Sequence, residues 1–315
     1  MSFDVPVLLI TWRRPDTTRQ VIDALRAVAP KTIYVASDGP RHAKEEKQVK
    51  ATRAVIDEFI NWPCSIYRRF SVVNQGCEVG VSSAITWFFD SVEEGIILED
   101  DCIPSGEFFG YCRELLVKFR NDERVWCISG GNYQQGHWRG EGSYYFSRYN
   151  HCWGWASWRR CWQQYADHDA IWSIVNNSMA LQKSMFDCDF ERRYWMEIWR
   201  KLFTFSQPDT WDYRWSLVCM ANSGLTILPN ANLVMNIGFG EGALHTAGQS
   251  TAVPLQPLGH VVHPRLVCRH AEADSYTFDE YFGGRLLKSR RYWLKIKLSR
   301  IKYFLLRCVR LVKHR

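Results

Sequence analysis

The stretch Gly95-Ile96-Ile97-Leu98-Glu99-Asp100-Asp101 decides how this chain is read. A short apolar run ends abruptly in three carboxylates. An unbroken apolar run bounded in this way reads as a strand buried on both faces, the kind found inside parallel sheets. The strand is predicted at 95–98, with the acids at its carboxyl end. In open α/β sheets, ligands bind beyond the carboxyl ends of the strands. Three grouped carboxylates repel one another, so at neutral pH they need a cation or shifted pKa values. Hard oxygen donors beside open space suit Mg²⁺ or Mn²⁺ bridging a diphosphate. The competing reading is a solvated acidic loop that merely ends a strand.

The residues around this stretch repeat its rhythm. The apolar run at 5–11 predicts another buried strand, and Val21, Leu25 and Val28 follow at helical spacing after Pro15. A strand at 32–36 is stopped by the turn sequence Ser37-Asp38-Gly39-Pro40. A charged helix at 43–61, a strand at 64–68 and a helix at 79–92 lead back to the acidic stretch. A helix at 108–119 and a strand at 125–129 follow it. This βαβ alternation predicts a mostly parallel sheet with helices on both faces. After about residue 130 the rhythm is lost. Residues 130–165 are rich in Gly, Trp and Tyr and are expected to be irregular. Helices are expected at 190–203 and 211–220, and short strands at 225–228 and 233–237.

Composition narrows the function classes. The chain has 315 residues, 46% of them apolar and 23% charged, enough to build a core and too apolar for general disorder. The net charge is +7, but residues 285–315 hold 12 Lys or Arg and no Asp or Glu. The remaining body therefore carries 28 basic against 33 acidic residues, a balance of −5, which argues against a nucleic-acid-binding body. The 11 cysteines are odd in number and irregularly spaced, as expected for reduced, buried thiols in a cytosolic protein. No run of 18 apolar residues and no positively charged leader is present, so neither a membrane span nor a signal peptide is expected.

Several residues beyond the acidic triplet are candidates. Asp38, just past a strand and before Gly39, is placed to accept from a base or ribose, or simply to form its turn. Arg13 and Arg14 follow the first strand and are placed to hold phosphate oxygens, or to lie at the surface. Asp212 lies in Trp211-Asp212-Tyr213-Arg214-Trp215, where flanking rings would raise its pKa towards general-base work. Its competing role is a core Asp paired with Arg214. Trp153, Trp155, Trp158 and Trp162 offer flat faces for a sugar or for the core. Dinucleotide, P-loop, zinc-hydrolase and nucleophile-elbow signatures are all missing.

The order of these features resembles a nucleotide-diphospho-sugar glycosyltransferase of the GT-A fold. The nearest look-alikes are small bacterial sugar transferases and the N-acetylglucosaminyltransferase I type. The resemblance rests on Val7-Leu8-Leu9-Ile10-Thr11-Trp12-Arg13-Arg14-Pro15, Val35-Ala36-Ser37-Asp38, and Ile97-Leu98-Glu99-Asp100-Asp101 with Phe108-Phe109. Trp126-Cys127-Ile128-Ser129, Cys152-Trp153-Gly154-Trp155 and Trp211-Asp212 continue it, over roughly residues 5–245. It implies that Asp38, Glu99 and Asp100, with Arg14, contact the donor nucleotide-sugar. It implies that Asp101, with His245, holds Mn²⁺ or Mg²⁺, and that Asp212 is the catalytic base. That type has two adjacent acids before a Trp, whereas this chain has Asp212-Tyr213-Arg214-Trp215, which leaves Asp209 and Glu241 as substitutes.

The expected architecture is a single GT-A domain, Rossmann-like, with a nucleotide-sugar-binding half at 1–130 and an acceptor-binding, catalytic half at 131–278. A basic amphipathic tail follows at 279–315, in which Leu294, Leu298, Ile301, Leu305, Cys308 and Val312 line one helical face. Such a helix is expected to lie on an anionic membrane surface through residues 285–315, holding a cytoplasmic enzyme at the inner face of the membrane. That placement suits a lipid-linked or glycan acceptor of surface polysaccharide synthesis. The competing functions are a sugar-phosphate nucleotidyltransferase and a non-catalytic carbohydrate- or membrane-binding protein. Nucleotidyltransferases of this kind usually carry a glycine-rich loop after the first strand, and Thr11-Trp12-Arg13-Arg14-Pro15 has no glycine.

Overall fold

The computed structural model describes residues 3–238 and 252–289. The first half contains β1 (Val7–Thr11), α1 (Pro15–Arg26), β2 (Thr32–Ser37), α2 (Glu46–Phe59), β3 (Ser65–Phe70) and α3 (Gly76–Ser91). It continues with β4 (Glu94–Glu99), β5 (Cys102–Pro104), α4 (Gly106–Phe119) and β6 (Val125–Ser129). The second half contains β7 (Tyr144–Ser147), β8 (Trp155–Trp158), α5 (Arg159–Trp162), α6 (His168–Asn177), α7 (Met179–Met185) and α8 (Asp189–Phe205). It ends with α9 (Asp212–Ala221), β9 (Leu225–Pro229), β10 (Val234–Asn236), α10 (Ala271–Tyr281) and α11 (Gly284–Lys288).

Eight strands form one sheet in the order β3-β2-β1-β4-β8-β6-β9-β7. β1 pairs in parallel with β2 and β4, β2 with β3, and β6 with β9. β8 runs antiparallel between β4 and β6, and β7 antiparallel to β9. The α/β class with a mostly parallel central sheet and flanking helices is thus the observed one. The chain winds from β1 outward to β3, then returns to place β4 on the other side of β1. The winding reverses between β1 and β4, and a crevice opens where the carboxyl ends of such strands part.

The local reasons for these elements are plain in the residues. Val7, Leu8 and Leu9 of β1 and Ile96, Ile97 and Leu98 of β4 are buried, as central parallel strands require. β3 lies at the sheet edge and exposes Ser65, Tyr67 and Arg68, so charge guards an unpaired strand. Pro15 opens α1 at a position whose N–H would go unbonded anyway, and Val21, Ile22 and Leu25 face the core. Ser105 caps α4 by accepting from Phe108 N at 3.3 Å, which drives Phe108 and Phe109 into the core.

The expectation of irregular chain at 130–165 is corrected. β7 and β8 lie there and complete the far half of the main sheet. Every residue of both strands is buried, so no polar alternation advertises them. Trp155 of β8 stacks on Trp211 with ring centroids 5.7 Å apart, and Trp162 stacks on Tyr165 at 4.5 Å. α6, α7 and α10 are likewise additional to the sequence-based expectation.

A second apolar cluster joins Tyr149, Val175, Phe186, Trp195, Trp199, Leu217, Met220 and Phe278. Beside it Arg148, just past β7, reaches Asp187 at 2.6 Å, Glu191 of α8 at 3.6 Å and Asp274 of α10 at 3.5 Å, so the buried Arg148, Glu191 and Asp274 satisfy one another. Phe282 and Leu287 pack on the same cluster. Arg285 pairs with Glu280, and Lys288 with Asp279 at 2.6 Å, so two of the cations expected to face a membrane are engaged within the chain. The remainder of the basic run, from residue 290, lies outside the described residues. No helix among the described residues is long and apolar enough to cross a membrane.

Candidate active site

The register Ile10↔Glu99 sets the ends of β1 and β4 side by side. Trp12 N, one residue past β1, donates to Asp100 Oδ2 at 3.1 Å and ties the two ends together. Arg14, at the start of α1, puts a single nitrogen, Nη1, 2.5 Å from Asp101 Oδ2 and 3.4 Å from Asp100 Oδ1. The candidate acids and the candidate phosphate-binding arginine therefore meet in the crevice where the winding reverses. Arg13 does not join them. It pairs with Glu45 at 3.0 Å and lies over the Trp12 ring, with Arg41 on the same ring.

Crowding perturbs these acids. Burial, then repulsion from Asp101, Asp100 and Asp212, pushes Glu99 up to about 8. Burial and Asp101 push Asp100 up to about 7, against the pull of Arg14 and of the Trp12 N–H. Burial alone would lower Arg14, but Asp100 and Asp101 outweigh it and hold the guanidinium firmly charged. Perturbed acids in a crevice mark a functional site with a physical cause.

Behind Asp101 the chain comes very close. β10 pairs antiparallel with β5, and Ile237 N donates to Asp101 O at 2.8 Å. This brings Gly238 against the carboxylate: a Cβ there would lie 2.0 Å from Asp101 Oδ2. Only glycine fits beside this acid. His245 and Glu241, the other expected contributors from this segment, lie outside the described residues. Among the described residues no three His, Cys, Asp or Glu side chains are disposed to hold a metal ion. The donor chemistry nonetheless fits a hard divalent cation, since the carboxylate oxygens of Asp100 and Asp101 converge on one positive charge, that of Arg14, and Gly238 sets no side chain against Asp101 from the β10 side.

Asp38 has the turn-forming setting that its sequence position left open. Oδ1 accepts from Gly39 N at 2.7 Å and from Gln75 N at 3.0 Å, while Oδ2 accepts from Asn74 Nδ2 at 2.8 Å. Burial raises its pKa, and these backbone N–H groups offset part of the rise. The carboxylate thus fastens the loop after β2 to the start of α3. Asp209 does similar work from far along the chain. Its Oδ2 accepts from Cys77 N at 3.1 Å and its Oδ1 from Glu78 N at 3.0 Å, capping the N-terminus of α3.

Asp212 opens α9, and its Oδ1 accepts from Tyr213 N at 3.0 Å and from the Thr210 hydroxyl. It lies close enough to Glu99 to raise that acid's pKa, so α9 brings a fourth carboxylate to the crevice. Arg214 does not pair with it, but with Glu78 of α3, Nε to Oε1 at 2.7 Å. Two half-buried thiols not singled out in the sequence, Cys77 and Cys152, feel Asp212 and Glu99 as well. Burial first, then these acids, pushes both thiols well up, so both stay protonated. Only the folded chain brings Cys77, Cys152 and Gly238 to the acids; nothing in their spacing announces it. Of the four candidate sugar-stacking tryptophans, Trp155, Trp158 and Trp162 are buried in the core, and Trp153 alone is half-buried, next to Cys152.

The chain matches no protein-family model and no curated protein. Among solved structures it is similar to a mannosyltransferase from Pyrobaculum calidifontis in complex with GDP-mannose and Mn²⁺, at 10% identity, covering 71% of this chain and 70% of that one, with a TM-score of 0.38. It is also similar to a 4-diphosphocytidyl-2C-methyl-D-erythritol synthase from Anaerococcus prevotii, at 9% identity over 66% and 87% of the two chains, with a TM-score of 0.30. A third is the glycosyltransferase GlyE of Streptococcus pneumoniae, at 11% identity over 65% of this chain and 44% of that one, with a TM-score of 0.31.

Proposed function

We propose that this chain is a glycosyltransferase that moves a sugar from a nucleotide-diphospho-sugar, a UDP-sugar, to a hydroxyl of a glycan or lipid-linked acceptor, with inversion. One observation carries the reading: Arg14, Asp100 and Asp101 meet where the sheet winding reverses, at the end of the strand that Glu99 closes, with Asp212 near enough to act on Glu99. Such a crevice holds one group of charges for a diphosphate and a separate carboxylate for a nucleophile. Mn²⁺ or Mg²⁺, held by Asp101 and by His245 from outside the described residues, would supply positive charge against the departing diphosphate.

The chain's own residues then have distinct tasks. Arg14 meets a phosphate oxygen of the donor. Glu99 and Asp100 orient its ribose or sugar hydroxyls, and Asp38 shapes the floor beneath the nucleoside. Asp212 takes the proton of the acceptor hydroxyl while that oxygen bonds to the anomeric carbon. The bond from that carbon to the diphosphate breaks at the same time, and its electron pair leaves with the nucleoside diphosphate. Trp153, half-buried next to Cys152, offers a sugar a flat face. The basic residues from 290 onward hold the enzyme on anionic lipid, where such acceptors reside.

The test is a thermal-shift and donor-hydrolysis panel of UDP-, GDP-, CMP- and dTDP-sugars, with and without Mn²⁺. We expect a shift with one nucleotide class, larger with Mn²⁺. Asp101→Asn and Asp212→Asn should each lower turnover by on the order of 10³-fold, Asp101→Asn also weakening the Mn²⁺ effect and Asp212→Asn leaving it intact. A folded protein that shifts with no nucleotide would overturn the reading.

A further inference from the structure

Each oxygen of the Asp101 carboxylate has a side-chain partner. Oδ1 accepts from Cys102 Sγ at 3.7 Å. Oδ2 faces Gly238 on one side and Arg14 Nη1 at 2.5 Å on the other. The same Nη1 is 3.4 Å from Asp100 Oδ1, so one guanidinium nitrogen stands between the two carboxylates. The carboxylates are fixed by backbone: Trp12 N donates to Asp100 Oδ2, and Ile237 N to the Asp101 carbonyl. The backbone of Arg14 is fixed too, because its carbonyl accepts from Thr18 N at 3.0 Å and Thr18 Oγ1 at 2.7 Å. The part free to move is the long, half-buried Arg14 side chain. A divalent cation and this guanidinium therefore need the same oxygens, and one must leave when the other arrives.

We propose that Arg14 is a resident counter-ion that exchanges with the divalent cation, and that its release delivers the guanidinium to the donor's diphosphate. This deepens the function proposed above and rests on it. Free of nucleotide, Arg14 neutralises the acids in place of the metal. With metal on Asp101, the displaced guanidinium seeks a new anion, and the donor diphosphate is the anion that enters the crevice. Each ligand then strengthens the other through Arg14, and such coupling is reciprocal by thermodynamic necessity. Arg14 is a positioning residue in this scheme until the diphosphate arrives.

The experiment measures Mn²⁺ binding by electron paramagnetic resonance, with no turnover involved. The full chain is titrated with MnCl₂ alone and then with UDP, GDP, CDP or dTDP present, for wild type, Arg14→Gln and Arg14→Lys. Removing the competitor should tighten Mn²⁺ binding by Arg14→Gln about tenfold in the absence of nucleotide. In wild type one nucleotide should raise Mn²⁺ affinity by about tenfold or more, and in Arg14→Gln by only about twofold. Arg14→Lys, which keeps the charge, should restore both the weaker metal-alone binding and most of the synergy. If Arg14→Gln binds Mn²⁺ no more tightly than wild type and keeps the synergy, Arg14 is a static ion pair and the exchange is refuted. If wild type and both variants bind no Mn²⁺ while a nucleotide still stabilises the protein, the exchange fails together with the metal assignment, and donor binding stands. If no nucleotide stabilises the protein either, the proposed function itself has failed.

Discussion

Asp209 and Asp212 stand three residues apart and compete in the sequence for the role of base, but the structure gives them separable consequences. Asp209 Oδ1 and Oδ2 each accept one backbone N–H at the first turn of α3, and they complement the positive end of that helix. A charged-acceptor hydrogen bond contributes about 1.5 kcal/mol at the low end appropriate to this exposed position, and the helix charge adds about 0.5 kcal/mol. The freed N–H groups at this exposed helix end are taken up by water, so the two bonds do not add in full, and Asp209→Ala should cost about 2 kcal/mol in all, the upper end of the range for a lost N-cap. With a urea dependence of about 3 kcal/mol per M, the unfolding midpoint should fall by about 0.7 M. Asp209→Asn keeps one acceptor oxygen and should lose about half as much. Gly76→Ala attacks the same cap from the other side. Its new Cβ would lie 2.9 Å from Asp209 Oδ2, at a residue whose φ is +80°. The displaced cap and the strained backbone together should cost about 3 kcal/mol. The assay is urea unfolding followed by fluorescence, paired with turnover of the donor that the nucleotide panel selects. Asp209→Asn should keep turnover within about threefold, whereas Asp212→Asn should lose on the order of 10³-fold with little change in stability. The reasoning is refuted if Asp209→Asn abolishes turnover while its unfolding midpoint stays at the wild-type value.

Two further outcomes follow from the second half of the chain. Asp274 is buried with Ser147 and Arg148, and burial raises its pKa from 3.8 to about 6. A raised acid favours the folded state while it is protonated, so this contribution is present below about pH 4 and lost as pH rises through about 6. Asp274→Asn removes the titration, and its stability relative to wild type should improve by about 2 kcal/mol between pH 4 and pH 7, since the unfolded carboxyl is already partly ionised at pH 4. A difference that stays constant across that range, measured by urea unfolding, would contradict the burial argument. Trp155→Ala should cost about 3–5 kcal/mol of stability because the ring is buried against Trp211 and Trp215. Trp153→Ala should cost less than about 1.5 kcal/mol and weaken acceptor binding instead. Equal losses of stability in calorimetry would show that both rings serve only the core.

The acids at the end of β4 and the arginine after β1 could be picked out without coordinates, whereas the hydrogen-bond partners of Asp38 and Asp209 could not. An apolar run that stops in charge reports a buried strand and its exposed end, because the pattern follows directly from what can be desolvated. That logic located β1, β2, β4 and β6 and the acids and arginine that follow the first of them and β4. It failed at β7 and β8, where both faces are buried among aromatic rings and no period survives. At Asp38 it left a ligand contact and a turn-forming role both open, since a turn aspartate looks the same whether its oxygens face solvent or the N–H groups of Gly39 and Gln75.

By itself, then, the sequence determined the α/β winding, the carboxylate-ended strand and the arginine after β1, because hydrophobic burial and backbone geometry act over short stretches. Tertiary structure alone decided which distant groups share the crevice. Asp209 reaches Cys77 and Glu78 across about 130 residues, Gly238 closes on Asp101, and Asp212 comes within the field of Glu99. Those meetings are set by how α9 and the β5–β10 ribbon pack against the ends of the sheet, and no local pattern encodes a packing partner.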